Sequence, residues 1–330
     1  MINLFCNILY IESVIYNDKL PCTKRHIHLK RIYWEGNISC QTITPDLSDS
    51  GIRYFRAYKE SLGLWPVHYK TFYVSTRFGQ THIIASGPED APPLVLLHGA
   101  LFSSTMWYPN IEDWSSKYRT YAIDIIGDKN KSIPADLCGT RAGYADWLLE
   151  VFDALGIEKS HMVGLSLGGL HTMNFALRAP ERVESAAILS PAETFLPFHH
   201  DFYQYALSLT EPDGVENFLN WMMTDRNVLH PVFAEQFHAG VMWQDGLRQP
   251  RPNADGFPYV FTDDELKSVK VPILLLLGEH EVIYDPQSAL HRASTLVPGI
   301  EAEIIKQAGH VLSMEQPQYV NERILSFFSK

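Results

Sequence analysis

The chain has 330 residues, 46% of them apolar, enough to bury a large core in one large domain or two small ones. Its formal net charge is −11, and no basic stripe lies beyond the first forty residues. That balance argues against a nucleic-acid partner and disfavours polyanionic substrates or strongly anionic membranes, while a neutral small molecule stays open.

Residues 1–49 read as an appendage. The first forty hold Cys6, Cys22 and Cys40, three of the four cysteines, and carry five Lys/Arg against three Asp/Glu. Met1 to Tyr16 is fairly apolar but lacks a basic start and a small-residue cleavage site, so no signal peptide is expected. It is also too short and polar for a membrane-spanning helix. The cysteine spacing fits no zinc pattern, and His26-Ile27-His28 reads as a solvated strand fragment, so neither metal nor cofactor is expected. Cys138 stands alone, and reduced thiols in the cytoplasm are the default.

From residue 50 the pattern becomes regular. Ser50 is the expected N-cap of a helix over residues 51–62, with Arg53, Arg56, Lys59 and Glu60 on its polar side and Pro66 beyond its end. Residues 68–75 and 80–86 predict antiparallel strands joined at Phe78-Gly79. The run Leu94-Val95-Leu96-Leu97 predicts a buried strand, and it ends in His98-Gly99-Ala100. Residues 121–124 form the next predicted strand, and residues 143–155 a helix.

A strand over residues 160–163 then leads into Gly164-Leu165-Ser166-Leu167-Gly168-Gly169 and a helix stopped by Pro180. A serine between glycines at such a turn is lifted above the sheet, with backbone N–H groups beneath it. If Ser166 attacks a carbonyl, the oxygen becomes an anion needing two N–H donors, and those of Ala100 and Leu167 are the candidates. His98 is expected to brace the turn, because its spacing is wrong for the base.

After a strand over residues 186–191, about eighty residues precede the next buried run at Val271, far more than one crossover helix needs. Residues 194–262 contain thirteen Phe, Trp or Tyr and read as a lid, most of whose rings pack lid against core while a minority face a pocket. That favours an apolar acyl or alcohol group over a sugar or phosphate. His199, His200, His230 and His238 in the same stretch are expected to be solvated or to cap helices. The run Val271 to Gly278 is followed by Glu279, Glu281 and Asp285, and a short strand over residues 301–306 delivers Gln307-Ala308-Gly309-His310 to a loop. A serine hydroxyl needs an imidazole to take its proton, and the imidazole needs a carboxylate to fix its tautomer. His310 supplies the first, and three carboxylates compete for the second.

Together, His98-Gly99-Ala100, the turn around Ser166, Leu177-Arg178-Ala179-Pro180-Glu181-Arg182-Val183, the acidic loop after Gly278 and Gly309-His310 resemble the α/β-hydrolase superfamily, in its esterase-like branch with a helical cap. The resemblance runs from about Tyr69 to Lys330. It implies a doubly wound, mostly parallel sheet, divided as core 50–193, cap 194–262 and core 263–330. It further implies a Ser166, Glu281, His310 triad that works without cofactor on a small-molecule carboxylic ester. The family position of the acid usually holds Asp; here it falls on Glu281, with Asp285 the alternative and Glu279 third. The loop Asp124 to Ser132 also departs from the family's Gly-rich pattern, which bears on the pocket edge. Other triad reactions on this fold remain as alternatives, among them C–C bond hydrolysis, thioester hydrolysis, acyl transfer and perhydrolysis. So does a non-catalytic small-molecule receptor.

Overall fold

The computed structural model describes residues 48–135, 138–243 and 259–330. The expectations for the first forty-seven residues, and the part of the cap within 244–258, lie outside the described residues. Among the described residues nine strands form one sheet: β1 (Tyr69–Thr76), β2 (Gly79–Ser86), β3 (Pro93–Leu97), β4 (Arg119–Ile123), β5 (Ile133–Pro134), β6 (Ser160–Leu165), β7 (Val183–Leu189), β8 (Ile273–Gly278) and β9 (Glu301–Ile305). Their order is β1-β2-β4-β3-β6-β7-β8-β9, with β5 pairing β2 off that path. β1, β2, β4 and β5 meet through antiparallel pairs, and every pairing from β4 through β9 is parallel.

The central parallel strands β3, β6, β7 and β8 are almost wholly buried, and β3 and β8 therefore read as continuous apolar runs. Side chains alternate between two cores: Leu94, Leu96, Leu274 and Leu276 enter one, and Val95, Leu97, Leu275 and Leu277 the other. From β3 the chain passes to β4 on one side, then returns to place β6 on the other. The crevice beyond the ends of β3 and β6 is thus the topological switch point, where open α/β sheets bind ligands.

In chain order the helices are α1 (Asp49–Leu62), α2 (Ile111–Ser115), α3 (Arg141–Leu155), α4 (Leu167–Arg178), α5 (His200–Leu207), α6 (Gly214–Met222), α7 (Pro231–Met242), α8 (Asp263–Lys267), α9 (Pro286–Leu296), α10 (Leu312–Glu315) and α11 (Pro317–Phe328). The N-cap of α1 is Ser48, not the expected Ser50: the Ser48 hydroxyl accepts the Gly51 N–H, while the Ser50 hydroxyl bonds to Ser48 Oγ at 2.8 Å. The helix ends at Gly63, before Pro66, and α4 starts directly after Ser166. α5, α6 and α7 lie between β7 and β8 in the chain, where the aromatic insertion was expected.

The polar side of α1 is not simply solvated. Arg53 forms a two-pronged pair with Glu235 of α7, at 2.8 and 3.0 Å, and donates to His238 Nδ1 at 2.9 Å. On the same helix Tyr54 stacks on Trp243 with ring centroids 5.0 Å apart. α1 therefore fastens α7, an arrangement its amphipathic pattern did not reveal.

Candidate active site

Ser166 is the single residue between β6 and α4, and its backbone sits at φ 52°, ψ −116°. Such a conformation costs a non-glycine residue on the order of 1–3 kcal/mol and persists only when neighbours enforce it. The enforcement is visible. Its N–H donates to Leu189 O at 2.9 Å, and its carbonyl accepts the N–H groups of Leu170 and Ala192 at 3.0 and 2.9 Å. The flanking glycines permit the crossing: a Cβ on Gly164 would lie 2.3 Å from Gly168 O, and one on Gly168 only 2.0 Å from Leu97 O. Leu167, next in the chain, opens α4, and its N–H belongs to the first turn, where amides have no intrahelical acceptor.

Across the crevice, β3 ends in His98-Gly99-Ala100. His98 is fully buried; its Nε2 accepts the Ile125 N–H at 2.9 Å, so the proton sits on Nδ1, which donates to Gly99 O at 2.8 Å. Both ring nitrogens are thus engaged in bracing the turn. Leu101 is held at φ 64°, its N–H donating at 3.0 Å to Asp128 Oδ2. Asp128 belongs to the loop that departs from the family pattern, so that departure bears on the backbone beside Ala100.

On the third side, His310 follows β9 and Glu281 follows β8. His310 Nδ1 lies 2.9 and 3.1 Å from the two Glu281 oxygens. Both side chains are buried. Glu281 Oε1 also accepts the N–H groups of Val282 and Ile283, at 2.8 and 3.0 Å. Burial alone would raise the pKa of this carboxyl, but the imidazole and the hydrogen bonds outweigh it and hold it below its ordinary value. An ionised Glu281 can only accept, so Nδ1 carries the proton and Nε2 is left free to take one. Asp285 is placed elsewhere: it is exposed and caps α9, its Oδ2 accepting the Ser288 N–H at 2.7 Å. Glu279 pairs on the surface with Lys306 at 2.7 Å.

Ala100, Ser166, Leu167 and His310 all border one cavity of about 250 Å³. Phe198, Phe202, Phe218 and Met222 of the insertion form its apolar roof. Other rings pack insertion onto core, as expected of the majority: Phe233 stacks on Phe102 at 5.8 Å, and Phe237 lies 5.0 Å from the same ring. His199 and His230 cap α5 and α7. The imidazoles of His199 and His200 lie 3.3 and 2.9 Å from Asp201, and these largely exposed residues are the one group among the described residues with metal-ligand spacing.

Two acidic side chains that bear on the site escaped the sequence reading. One is Asp128. The other is Glu315, buried at the end of α10, whose Oε2 accepts the Gly309 N–H at 2.9 Å and whose Oε1 accepts the Thr224 N–H at 2.6 Å. Burial pushes its carboxyl above the ordinary value, with the backbone donors only partly opposing the rise.

The chain is also similar to known proteins. Residues 92–317 match the family described as alpha/beta hydrolase fold. The chain is 80% identical over 285 residues to the uncharacterized carboxylesterase nap of Bacillus subtilis strain 168, covering 86% of this chain and 95% of that protein. It is 61% identical over 279 residues to carboxylesterase YbfK of the same strain, covering 84% and 94% respectively. The crystal structure of naproxen esterase (carboxylesterase NP) from Bacillus subtilis superposes with a TM-score of 0.85 at 81% identity, over 86% of this chain and all of that one. By sequence match and by fold, the chain belongs to the α/β-hydrolase family.

Proposed function

We propose that this chain is a serine carboxylesterase acting on esters with a bulky apolar group, through Ser166, His310 and Glu281. The observation that carries the reading is the convergence of Ser166 and the buried His310–Glu281 pair on one apolar cavity. In this reading His310 Nε2 takes the proton of Ser166 Oγ as the oxygen attacks the ester carbonyl. The N–H groups of Ala100 and Leu167 hold the oxyanion, and Glu281 stabilises the imidazolium. His310 then protonates the leaving alcohol, and water activated by the same ring frees the acid from the acyl-enzyme. The cap comprises residues 194–262, inserted between core segments 50–193 and 263–330.

A relative bears the name naproxen esterase, and the phenylalanine-lined roof favours an aromatic group in the ester that this chain cleaves. Among the described residues no helix is long and apolar enough to cross a membrane. Residence in the cytoplasm with reduced thiols is part of the proposal; Cys138 is a buried free thiol.

Turnover of a p-nitrophenyl ester series by the wild type and Ser166→Ala tests the assignment. The variant should lose on the order of 10⁴ to 10⁶ in kcat while remaining folded, and retained activity would refute the nucleophile. Glu281→Gln should cost far more than Asp285→Asn, and the reverse ranking would move the acid's role to Asp285.

A further inference from the structure

We infer that Glu315 is a positioning residue for the reaction, clamping the His310 loop to the cap so that the base and the cavity roof are set together. The inference rests on the reading of Ser166 and His310 given above. Glu315 Oε2 accepts the Gly309 N–H at 2.9 Å, one residue before the imidazole. Its Oε1 accepts the N–H groups of Thr224 and Asp225, at 2.6 and 3.3 Å, just beyond the end of α6. The His310 N–H donates to Met222 O at 2.8 Å, and the Met222 side chain lines the cavity. The backbones touch so closely that a Cβ on Gly309 would lie 2.5 Å from Met222 O. One buried carboxylate thus joins the loop carrying the base to the segment carrying the roof.

Glu315 is not part of the cavity wall and acts only through His310 and Met222. Its chemistry is specific: three backbone N–H groups converge on it, and a carboxylate can accept all three because it presents only acceptors. A carboxamide of the same length keeps one oxygen and turns an NH₂ toward an N–H, which breaks either the histidine side or the cap side of the clamp. Proton transfer from Ser166 requires a base within hydrogen-bond reach, so a small displacement of the imidazole is expensive in rate. A misplacement of 1 Å can cost about a hundredfold.

The test compares the full-length wild type with Glu315→Gln, Glu315→Asp, Ser166→Ala and Ile324→Val, measuring p-nitrophenyl ester kinetics well below each melting midpoint. Ile324 is a fully buried residue of α11 and serves as the stability control, expected to melt earlier with unchanged kcat. Glu315→Gln should lower kcat about tenfold to a hundredfold, with KM within about threefold of wild type. Glu315→Asp keeps the charge but is one methylene short, and it should fall between the two. If the glutamine variant does not fold, loss of kcat at unchanged KM in Glu315→Asp supports the clamp, and wild-type kcat there overturns it. Wild-type kcat in Glu315→Gln, an effect confined to KM, or an equal kcat loss in Ile324→Val also overturns it. Activity that persists in Ser166→Ala refutes the nucleophile and this proposal together, whereas Ser166-dependent activity indifferent to Glu315 refutes the clamp alone.

Discussion

The insertion between β7 and β8 contains two parts that share aromatic composition and differ in how they are held. α6 and α7 are built into the core. Gln236 of α7 is buried and donates to Ser103 Oγ at 2.6 Å while accepting from Thr105 Oγ1 at 2.8 Å; Phe218 of α6 stacks on Phe237 of α7; and the end of α6 is bonded to His310 and Glu315. α5 has no buried residue. It rests on ring stacks, Phe198 on Phe202 at 4.2 Å and Tyr205 on Trp221 at 4.5 Å, and on the His199 N–H bonded to Ile283 O. Its outer face leaves Leu207 82% and Tyr203 53% exposed. Moving α6 or α7 breaks buried hydrogen bonds, each expensive to leave unmade, whereas lifting α5 separates mainly half-buried rings. Phe202 and Ala206 of α5 line the cavity, so the weakly held helix forms part of its wall.

The sharpest way to break this contrast is a pair of truncations. Phe233→Ala removes a ring that is 1% exposed and packed between Phe102 and Tyr108, and it should cost about 3–5 kcal/mol of stability in urea unfolding through the lost burial and the cavity left behind. Leu207→Ser should stay within about 0.5 kcal/mol. Similar losses at the two positions would erase the distinction. Amide hydrogen exchange sharpens it further: the amides of α5 should exchange ahead of those of α7, and equal protection would show that the insertion opens as one piece.

Much of the fold was legible because its signals are local. Buried parallel strands read as apolar runs, and the crossing of β6, α4 and β3 demands glycine at 164 and 168 whatever the rest of the chain does. The choice between Glu281 and Asp285 was harder, since both are carboxylates in one loop. A signal was nonetheless present: Asp285 precedes Pro286, the pattern of an N-cap followed by proline at the first helical position, and Asp285 is occupied in that way. Asp128 and Glu315 were not legible as parts of the site. Asp128 accepts a backbone N–H 27 residues away and Glu315 joins one 6 residues away to another 91 away, and such pairings leave no trace in periodicity or spacing. The partner of α1's polar side was illegible for the same reason: Arg53 finds Glu235 at a separation of 182 residues.

A modest effect is expected at that last contact, which bears on what holds α1 to the fixed part of the cap. Arg53 and Glu235 are 46% and 43% exposed, so water and salt screen the pair despite its two-pronged geometry. Arg53→Ala should therefore cost no more than about 1 kcal/mol at low ionic strength, and about 1 M salt should remove most of the difference from wild type. The guanidinium can only donate, so its bond to His238 has Nδ1 as the acceptor. Packing carries the rest: Tyr54 and Phe55 are buried against Trp243, at 5.0 and 5.2 Å between ring centroids, and Tyr54 OH donates to Lys129 O at 2.7 Å. A salt-insensitive loss well above 1 kcal/mol in Arg53→Ala would mean that the side chain's apolar stem, and not its charge, joins α1 to α7.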